Sequence, residues 1–276
     1  WTAGIVMPEL SESGYHAALT MELHRELARR HFSDRTYFIS PHSMPASEVD
    51  VRQPSDFLGL ETDLEEGLID ALVTSTRLSY DAIPCVALGS SPQSSNPASK
   101  LRVTRDPVYF FESSVRKLFE RGCRHMFVVG AEPKDSAVSH RTAGQISPSI
   151  KITEIPMPSI NDWTVESAAE NFLRQATDNE PYGLIISDDF TASIFSRKIA
   201  QGSSLRPTVC LQTHGASQLS YALPALKYIT DLQALSAAAV DVIINRLLGI
   251  SSSHTEVRLP MIFREVEPQA IFPSFS

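Results

Sequence analysis

Short apolar segments of β-strand character alternate with longer segments of helical periodicity along most of the chain. Residues 4–7 form the first apolar run, and over residues 15–30 Leu19, Leu23 and Leu27 recur at four-residue spacing among polar side chains. This spacing predicts a helix whose apolar face packs on a sheet. Because the strand-then-helix cycle repeats, we expect an α/β protein built on parallel sheets.

The cycle occurs twice, on either side of residues 90–99, which are rich in Ser, Pro and Asn and predict a loop. A chain of 276 residues is too long for one small core, so two lobes with a cleft are expected. Further strands are predicted at 36–40, 69–75, 83–89, 101–104, 126–130, 183–187, 207–212, 257–260 and 261–264, and further helices near 58–64 and at 109–121, 165–176, 191–201 and 235–248.

Composition and charge narrow the function classes. The chain is 42% hydrophobic and 20% charged, as in a soluble globular protein, and no apolar run reaches the length of a membrane span. Its net charge of -8 opposes nucleic-acid binding by the chain alone. The densest basic stretch, residues 25–30, is interleaved with Glu22 and Glu26 and therefore predicts a solvated helix face.

The cysteines bear on the cellular compartment. Cys85, Cys123 and Cys210 are scattered along the chain, which argues against a disulfide framework and against a zinc site. Nothing at the start of the sequence resembles a signal peptide. We therefore expect a cytoplasmic protein, although a mature exported protein would look the same.

Enzyme signatures are missing from the sequence. It contains no glycine-rich dinucleotide fingerprint after the first strand, no phosphate loop and no Gly-x-Ser-x-Gly elbow. The adjacent carboxylates Asp188 and Asp189 lack a third ligand at metal-binding spacing. These observations predict a protein that is not an enzyme and that uses no cofactor and no metal.

Several short phrases follow one another in order along nearly the whole chain. They are Pro8-Glu9-Leu10-Ser11 with Tyr15, Val103-Thr104-Arg105-Asp106, Gly122-Cys123-Arg124-His125, Arg141-Thr142-Ala143-Gly144, Ser187-Asp188-Asp189-Phe190-Thr191-Ala192, Tyr228-Ile229-Thr230, Arg258-Leu259-Pro260 and Arg264-Glu265. In this order they resemble phrases of the lac repressor/galactose repressor family of bacterial transcription regulators. Positions 12–14, Gln145 and His214 depart from that family's common pattern.

The resemblance implies a periplasmic-binding-protein-like fold, with two doubly wound parallel-sheet lobes joined by three crossings. The expected N-terminal lobe comprises residues 1–103 and 229–250, and the C-terminal lobe residues 104–228 and 251–276. The resemblance also implies a homodimer that binds a sugar or a related polar metabolite as its effector. Operator DNA would be bound only through an upstream domain absent from this chain, under allosteric control by closure of the cleft.

Ligands of open α/β sheets lie beyond the carboxyl ends of the strands. In the resembling family the arginine at the position of Arg141 binds sugar hydroxyls, and a guanidinium donates two parallel hydrogen bonds; the alternative is a surface pair with Asp135. Asp189 would accept hydroxyl protons or cap a helix, and Asp188 would take either role.

Other candidates also have structural alternatives. Tyr15 would cover a sugar face or anchor its helix to the core. His42 and His214 would bind polar groups of the ligand or be ordinary surface or loop residues. Asp106 would shape the cleft or cap the next helix. The complete set of candidate ligand contacts is Tyr15, Glu12, His42, Ser75, Arg141, Asp188, Asp189, Phe190 and His214, with Asp106 as a secondary position.

Two other functions stay open at this point. An exported sugar-binding protein of a transport system would share the fold and the cleft, and the gene segment upstream of Trp1 separates it from a regulator. A helix-turn-helix or winged-helix module there would indicate a regulator, and a signal peptide would indicate a transport protein. A sugar-modifying enzyme would be recognised by turnover of its ligand.

Overall fold

The chain forms two compact units and passes between them three times, after Asp106, Thr230 and Pro260. The first unit comprises Trp1–Asp106 and Asp231–Pro260, and the second comprises Pro107–Thr230 and Met261–Ser276. The computed structural model of the chain describes residues 1–8, 14–39, 51–76, 78–89, 101–157, 162–176, 181–215, 217, 219–250 and 256–266.

The first unit contains a six-stranded sheet in the order β11-β5-β4-β3-β1-β2, in which every pairing is parallel. Its central strands are buried on both faces, which is why they are continuous apolar runs in the sequence. The strands are β1 (Thr2–Met7), β2 (Ser33–Phe38), β3 (Ala71–Thr74), β4 (Cys85–Leu88), β5 (Leu101–Arg105) and β11 (Glu256–Leu259).

Helices α1 (Tyr15–Arg29) and α7 (Leu232–Leu247) pack together on one face of this sheet. The predicted α1 spacing is confirmed, because Leu19, Leu23 and Leu27 are all fully buried in one apolar cluster. A 3₁₀ turn (Pro54–Asp56) and the short helix α2 (Leu60–Glu65) precede β3, and Leu60 joins a separate cluster built on Leu72.

The second unit contains a six-stranded sheet in the order β12-β10-β9-β8-β6-β7. All pairings are parallel except that of β12, which runs antiparallel to β10. The strands are β6 (His125–Val129), β7 (Lys151–Ile155), β8 (Tyr182–Ile186), β9 (Thr208–His214), β10 (Ala225–Thr230) and β12 (Ile262–Val266). The helices are α3 (Pro107–Glu120), α4 (Pro133–Ile146), α5 (Asp162–Gln175) and α6 (Asp189–Gly202).

Two apolar clusters lie against the second sheet. One joins Phe127 to Phe172 of α5 and Phe195 of α6, and the other joins Phe110 and Leu118 of α3 to the sheet. Gly183 permits the second contact, because a Cβ at that position would lie 2.6 Å from the Leu118 Cδ1 atom. The alternation of strands and helices predicted from the sequence therefore corresponds to two doubly wound units.

The units of the structure differ from the predicted lobes at all three crossings. Residues 104–106 lie in the first unit, although they were expected in the C-terminal lobe. Residues 229–230 were expected in the N-terminal lobe, but they end β10 and belong to the second unit. Residues 251–276 were expected in the C-terminal lobe, but β11 (Glu256–Leu259) pairs with β5 in the first sheet. Strand pairing depends on residues more than 100 positions away, which no local pattern encodes.

Two elements of the second unit were not predicted. Besides Val138, helix α4 buries only small or polar residues, which give no apolar periodicity; they are Ser136, Ser139, Thr142 and Ala143. Strand β7 lies at the sheet edge, and only Ile155 of its five residues is buried. Both elements are stabilised by tertiary packing.

Two further observations concern the chain as a whole. Within the described residues, no helix combines the length and the apolar character needed to cross a membrane. Cys85, Cys123 and Cys210 are all buried as free thiols. Burial raises the pKa of the Cys85 and Cys210 thiols to about 12, so these groups are protonated and chemically inert at neutral pH.

Candidate ligand-binding site

Both sheets have a topological switch point at their carboxyl edge. In the first sheet β1 lies between β2 and β3, and in the second sheet β6 lies between β7 and β8, so successive connections leave in opposite directions. Ligands of doubly wound proteins bind outside the carboxyl ends of the strands at such points. The residues that follow β6 and β8, together with the adjacent end of β9, are therefore the first to consider in the second unit.

Asp188 caps the helix that follows β8. It is the N-cap of α6, and its Oδ1 atom accepts a hydrogen bond from the backbone N–H of Thr191 at 2.7 Å. The helix begins at Asp189, so the capping role considered for Asp189 belongs to Asp188. A carboxylate at this position satisfies a free amide and interacts favourably with the helix dipole.

Asp189 is buried at the same edge, with 4% of its surface exposed. The Thr213 hydroxyl donates a hydrogen bond of 2.9 Å to Asp189 Oδ2, and His214 Nε2 lies 3.9 Å from the same oxygen. Thr213 and His214 are the last two residues of β9. The start of α6 and the end of β9 thus bring two of the predicted contacts, Asp189 and His214, together.

Lys227 and Tyr221 also lie close enough to Asp189 to interact with its carboxylate. The Lys227 ammonium lies 4.5 Å from the centre of the Tyr221 ring. Burial lowers the pKa of Lys227, and the Asp189 carboxylate opposes that shift. Burial also raises the pKa of Tyr221, and Asp189 acts in the same direction, so Tyr221 is a neutral hydrogen-bonding group.

Phe190 and Arg141 lie in different surroundings. Phe190 is half-buried and packs against the cluster that contains Phe195. Arg141 is the ninth residue of α4, about 12 Å along the axis from its first residue. Its side chain is 57% exposed and pairs with Glu112 of α3 at 3.4 Å, so its ion-pair partner differs from the predicted Asp135.

The first unit presents its own candidates at the carboxyl edge of its sheet. The Ser75 hydroxyl, just after β3, donates to Met7 Sδ at the end of β1 at 3.0 Å. Tyr15 begins α1 and packs against the apolar cluster of that unit, which is the predicted anchoring role. Burial raises the pKa of Tyr15, and nearby Arg105 opposes that shift.

The remaining candidates are placed as follows. Asp106 lies between β5 and α3, and its backbone N–H donates to the Leu259 carbonyl at 3.1 Å. Glu12 and His42 lie outside the described residues. Among the residues that are described, no group of three or more His, Cys, Asp and Glu side chains is arranged to hold a metal ion.

The predicted set omitted three residues that the structure brings to Asp189. Thr213, Tyr221 and Lys227 surround its carboxylate, and only Thr213 had a sequence signal, because it directly precedes His214 at a predicted strand end. Tyr221 lies in the connection before β10, and Lys227 lies in β10 itself. Their proximity to Asp189 depends on the pairing of β9 with β10.

The sequence matches no protein-family model and no curated protein sequence. Solved structures do match, over nearly the whole chain. A LacI family transcriptional regulator from Arthrobacter sp. FB24, in complex with lactose, has a TM-score of 0.70 at 17% identity and covers 96% of this chain and 97% of its own. A dimeric Lac repressor with a C-terminal deletion has a TM-score of 0.68 at 13% identity, covering 98% of this chain and 100% of its own.

Transport proteins match equally well. An ABC transporter periplasmic solute binding protein from Actinobacillus succinogenes 130z, with bound D-allose, has a TM-score of 0.69 at 12% identity and covers 95% of this chain and 96% of its own. The chain has the fold shared by LacI family regulators and periplasmic solute-binding proteins. The predicted fold class is thereby confirmed, and the resemblance to the repressor family is confirmed at the level of the fold.

Proposed function

We propose that this chain is the effector-sensing domain of a bacterial transcription regulator of the lac repressor/galactose repressor type, and that its effector is a sugar. The observation that carries the proposal is the buried Asp189, Thr213 and His214 cluster at the carboxyl edge of a doubly wound sheet. A carboxylate held by a hydrogen bond at that edge is preorganised to accept hydrogen bonds from sugar hydroxyls. The lactose complex of a protein with this fold supports the choice of ligand.

In this proposal the cytoplasmic chain acts as a homodimer and contacts operator DNA only through a separate upstream domain. The net charge of -8 supports the assignment of DNA binding to a separate domain, because a negatively charged chain repels the phosphate backbone of DNA. A sugar changes DNA affinity only by binding one conformation more tightly than another. The dimeric Lac repressor of the same fold supports the assembly.

The sensing step is tested by calorimetric titration of the chain with lactose, D-allose, D-tagatose and D-glucose. We expect binding of at least one sugar, and Asp189→Asn is expected to weaken it at least tenfold. Asp241→Asn is the matched control, because Asp241 is an exposed carboxylate of the first unit that pairs with Arg30. The sensing proposal is wrong if the folded chain binds none of the sugars, or if the two variants bind equally.

The second candidate is an exported sugar-binding protein, which the D-allose complex of the transport protein favours. The gene upstream of Trp1 separates the two functions, since a signal peptide indicates export and a DNA-binding module indicates regulation. For the regulator, a gel-shift assay with the full-length protein should show DNA affinity that changes with sugar. A non-enzymatic role predicts that the bound sugar is recovered unchanged after prolonged incubation.

A further inference from the structure

A carboxylate, an imidazole and a hydroxyl are joined by hydrogen bonds in the first unit, where α1 packs on the edge strand β2. His24 of α1 is hydrogen-bonded through Nδ1 to Asp34 Oδ2, and its Nε2 atom lies 3.1 Å from Thr36 Oγ1. Asp34 and Thr36 are two positions apart on β2, so both side chains point to the helix face. The intervening Arg35 points to the other face, where it pairs with Asp63.

The carboxylate determines which hydrogen-bonding groups carry the protons. An ionised carboxylate only accepts hydrogen bonds, so in the neutral imidazole of His24 the proton resides on Nδ1. The Nε2 atom is then an unprotonated acceptor, and the Thr36 hydroxyl donates to it. A hydroxyl that donates to an imidazole, which is itself oriented by a carboxylate, has the arrangement of a nucleophile with its general base.

Thr36 also brings a backbone donor to the same place. β2 ends the strand order of the first sheet, and the Ser33 N–H donates towards β1, to the Trp1 carbonyl at 3.0 Å. Because N–H groups alternate in direction along a strand, the Thr36 N–H points to the outer edge of the sheet. The Phe38 carbonyl points the same way and accepts from the Leu58 N–H. An N–H at this edge can stabilise negative charge on an oxygen atom next to Thr36 Oγ1.

The three side chains are accessible to small molecules. The His24 side chain is 42% exposed and that of Asp34 is 19% exposed, while Thr36 is half-buried. A threonine hydroxyl is a weak nucleophile even beside a base, so its reaction partner has to carry a good leaving group. An activated acyl ester meets this requirement, because its carbonyl carbon is electrophilic and its alkoxide or phenolate departs readily.

We propose that Thr36 is a covalent acyl-acceptor site, at which the chain takes one acyl group from an activated ester. Thr36 Oγ1 forms a bond to the carbonyl carbon while its proton passes to His24 Nε2. The bond from that carbon to the leaving oxygen then breaks, and the leaving group takes the proton from His24. Asp34 acts as a positioning residue that orients the imidazole. This modification is independent of the sugar-sensing function proposed above.

The test uses p-nitrophenyl acetate as the activated ester. Release of p-nitrophenolate measures the rate of transfer, and mass spectrometry of peptides from acid-quenched samples locates the acetyl group. Thr36→Val removes the hydroxyl and retains the side-chain shape, whereas Thr36→Ser retains the hydroxyl. Thr20→Val is the matched control, because Thr20 is also half-buried and its hydroxyl donates to the His16 carbonyl instead of to an imidazole. Circular dichroism checks the folding of every variant.

We expect the acetyl group on Thr36 of the unmodified chain. Thr36→Val and His24→Ala should each slow the transfer about a hundredfold, as for loss of the nucleophile or of its general base. Asp34→Asn should slow it about tenfold, and Asp34→Glu should recover part of the rate, because a carboxylate again orients the imidazole. Thr36→Ser and Thr20→Val should react at close to the rate of the unmodified chain.

Acetyl groups confined to lysine side chains or the amino terminus would overturn the inference. An unchanged rate in Thr36→Val would also overturn it, because His24 itself would then be the nucleophile. Equal slowing in Thr20→Val would refute it as well, since the effect would then be one of folding. Acetylation of Thr36 in a chain that binds no sugar would leave the inference standing and remove the sensing function.

Discussion

Replacement of Thr213 by valine removes the hydroxyl that donates to the buried Asp189 carboxylate and that also lies 3.4 Å from the His214 carbonyl oxygen. Valine keeps the shape and the β-branching of threonine, so the strand geometry of β9 is retained. The substitution removes the 2.9 Å bond to Asp189 Oδ2. Hydrogen bonds to charged groups contribute about 1.5–3 kcal/mol, and we therefore expect the free energy of unfolding to fall by about 2 kcal/mol.

Urea denaturation followed by circular dichroism measures this change. With an m-value of about 2 kcal/mol/M, the midpoint of the transition should fall by about 1 M. Thr142→Val is the control, because the buried Thr142 hydroxyl has no hydrogen-bond partner among the described residues and its replacement by a methyl group is therefore nearly neutral. In a double-mutant cycle with Asp189→Asn, the coupling should be about 1–2 kcal/mol.

The expected result has clear alternatives. If Thr213→Val and Thr142→Val shift the midpoint equally, the hydrogen bond to Asp189 contributes nothing measurable to stability. If the effects of Thr213→Val and Asp189→Asn add without coupling, the two side chains act independently. Either result refutes the role of Thr213 in holding the carboxylate at the carboxyl edge of the second sheet.

The remaining predictions concern other features of the fold. Asp188→Ala removes the N-cap of α6 and should lower the free energy of unfolding by about 1 kcal/mol, whereas Asp188→Ser should restore most of it. Gly183→Ala should destabilise by about 1–3 kcal/mol, because its Cβ would meet Leu118 Cδ1 at 2.6 Å. A Cβ atom at Gly144 would have nothing within 4 Å, so Gly144→Ala should stabilise α4 by about 0.5–1 kcal/mol. Equal denaturation midpoints for Gly183→Ala and Gly144→Ala would contradict both packing arguments. Burial raises the pKa of Cys85 from 9.0 to about 12, so its contribution to stability is present below pH 9.0 and is lost as the pH rises towards 12. The melting temperature of Cys85→Ala should therefore fall less steeply with rising pH than that of the unmodified chain. Parallel curves for the two proteins would contradict this prediction.

Local periodicity was sufficient where an element buries an apolar stripe. The four-residue spacing of Leu19, Leu23 and Leu27 encodes α1, since one helical turn brings these residues to one face. The doubly buried strands were equally clear, because both faces of their sheets are covered. Helix α4 was not predicted, because its buried face, apart from Val138, consists of small and polar side chains that become favourable through close packing against α3.

The candidate site divides in the same way. The sequence by itself determined that Asp188, Asp189 and His214 lie at or just after strand ends and therefore at a carboxyl edge, since strand direction and strand end are local properties. Only the tertiary structure decided that Asp188 caps α6 and that Thr213 holds Asp189. These roles depend on the pairing of β8 with β9 and on the residue at which α6 begins, because the distances involved are set by contacts between residues far apart in the chain.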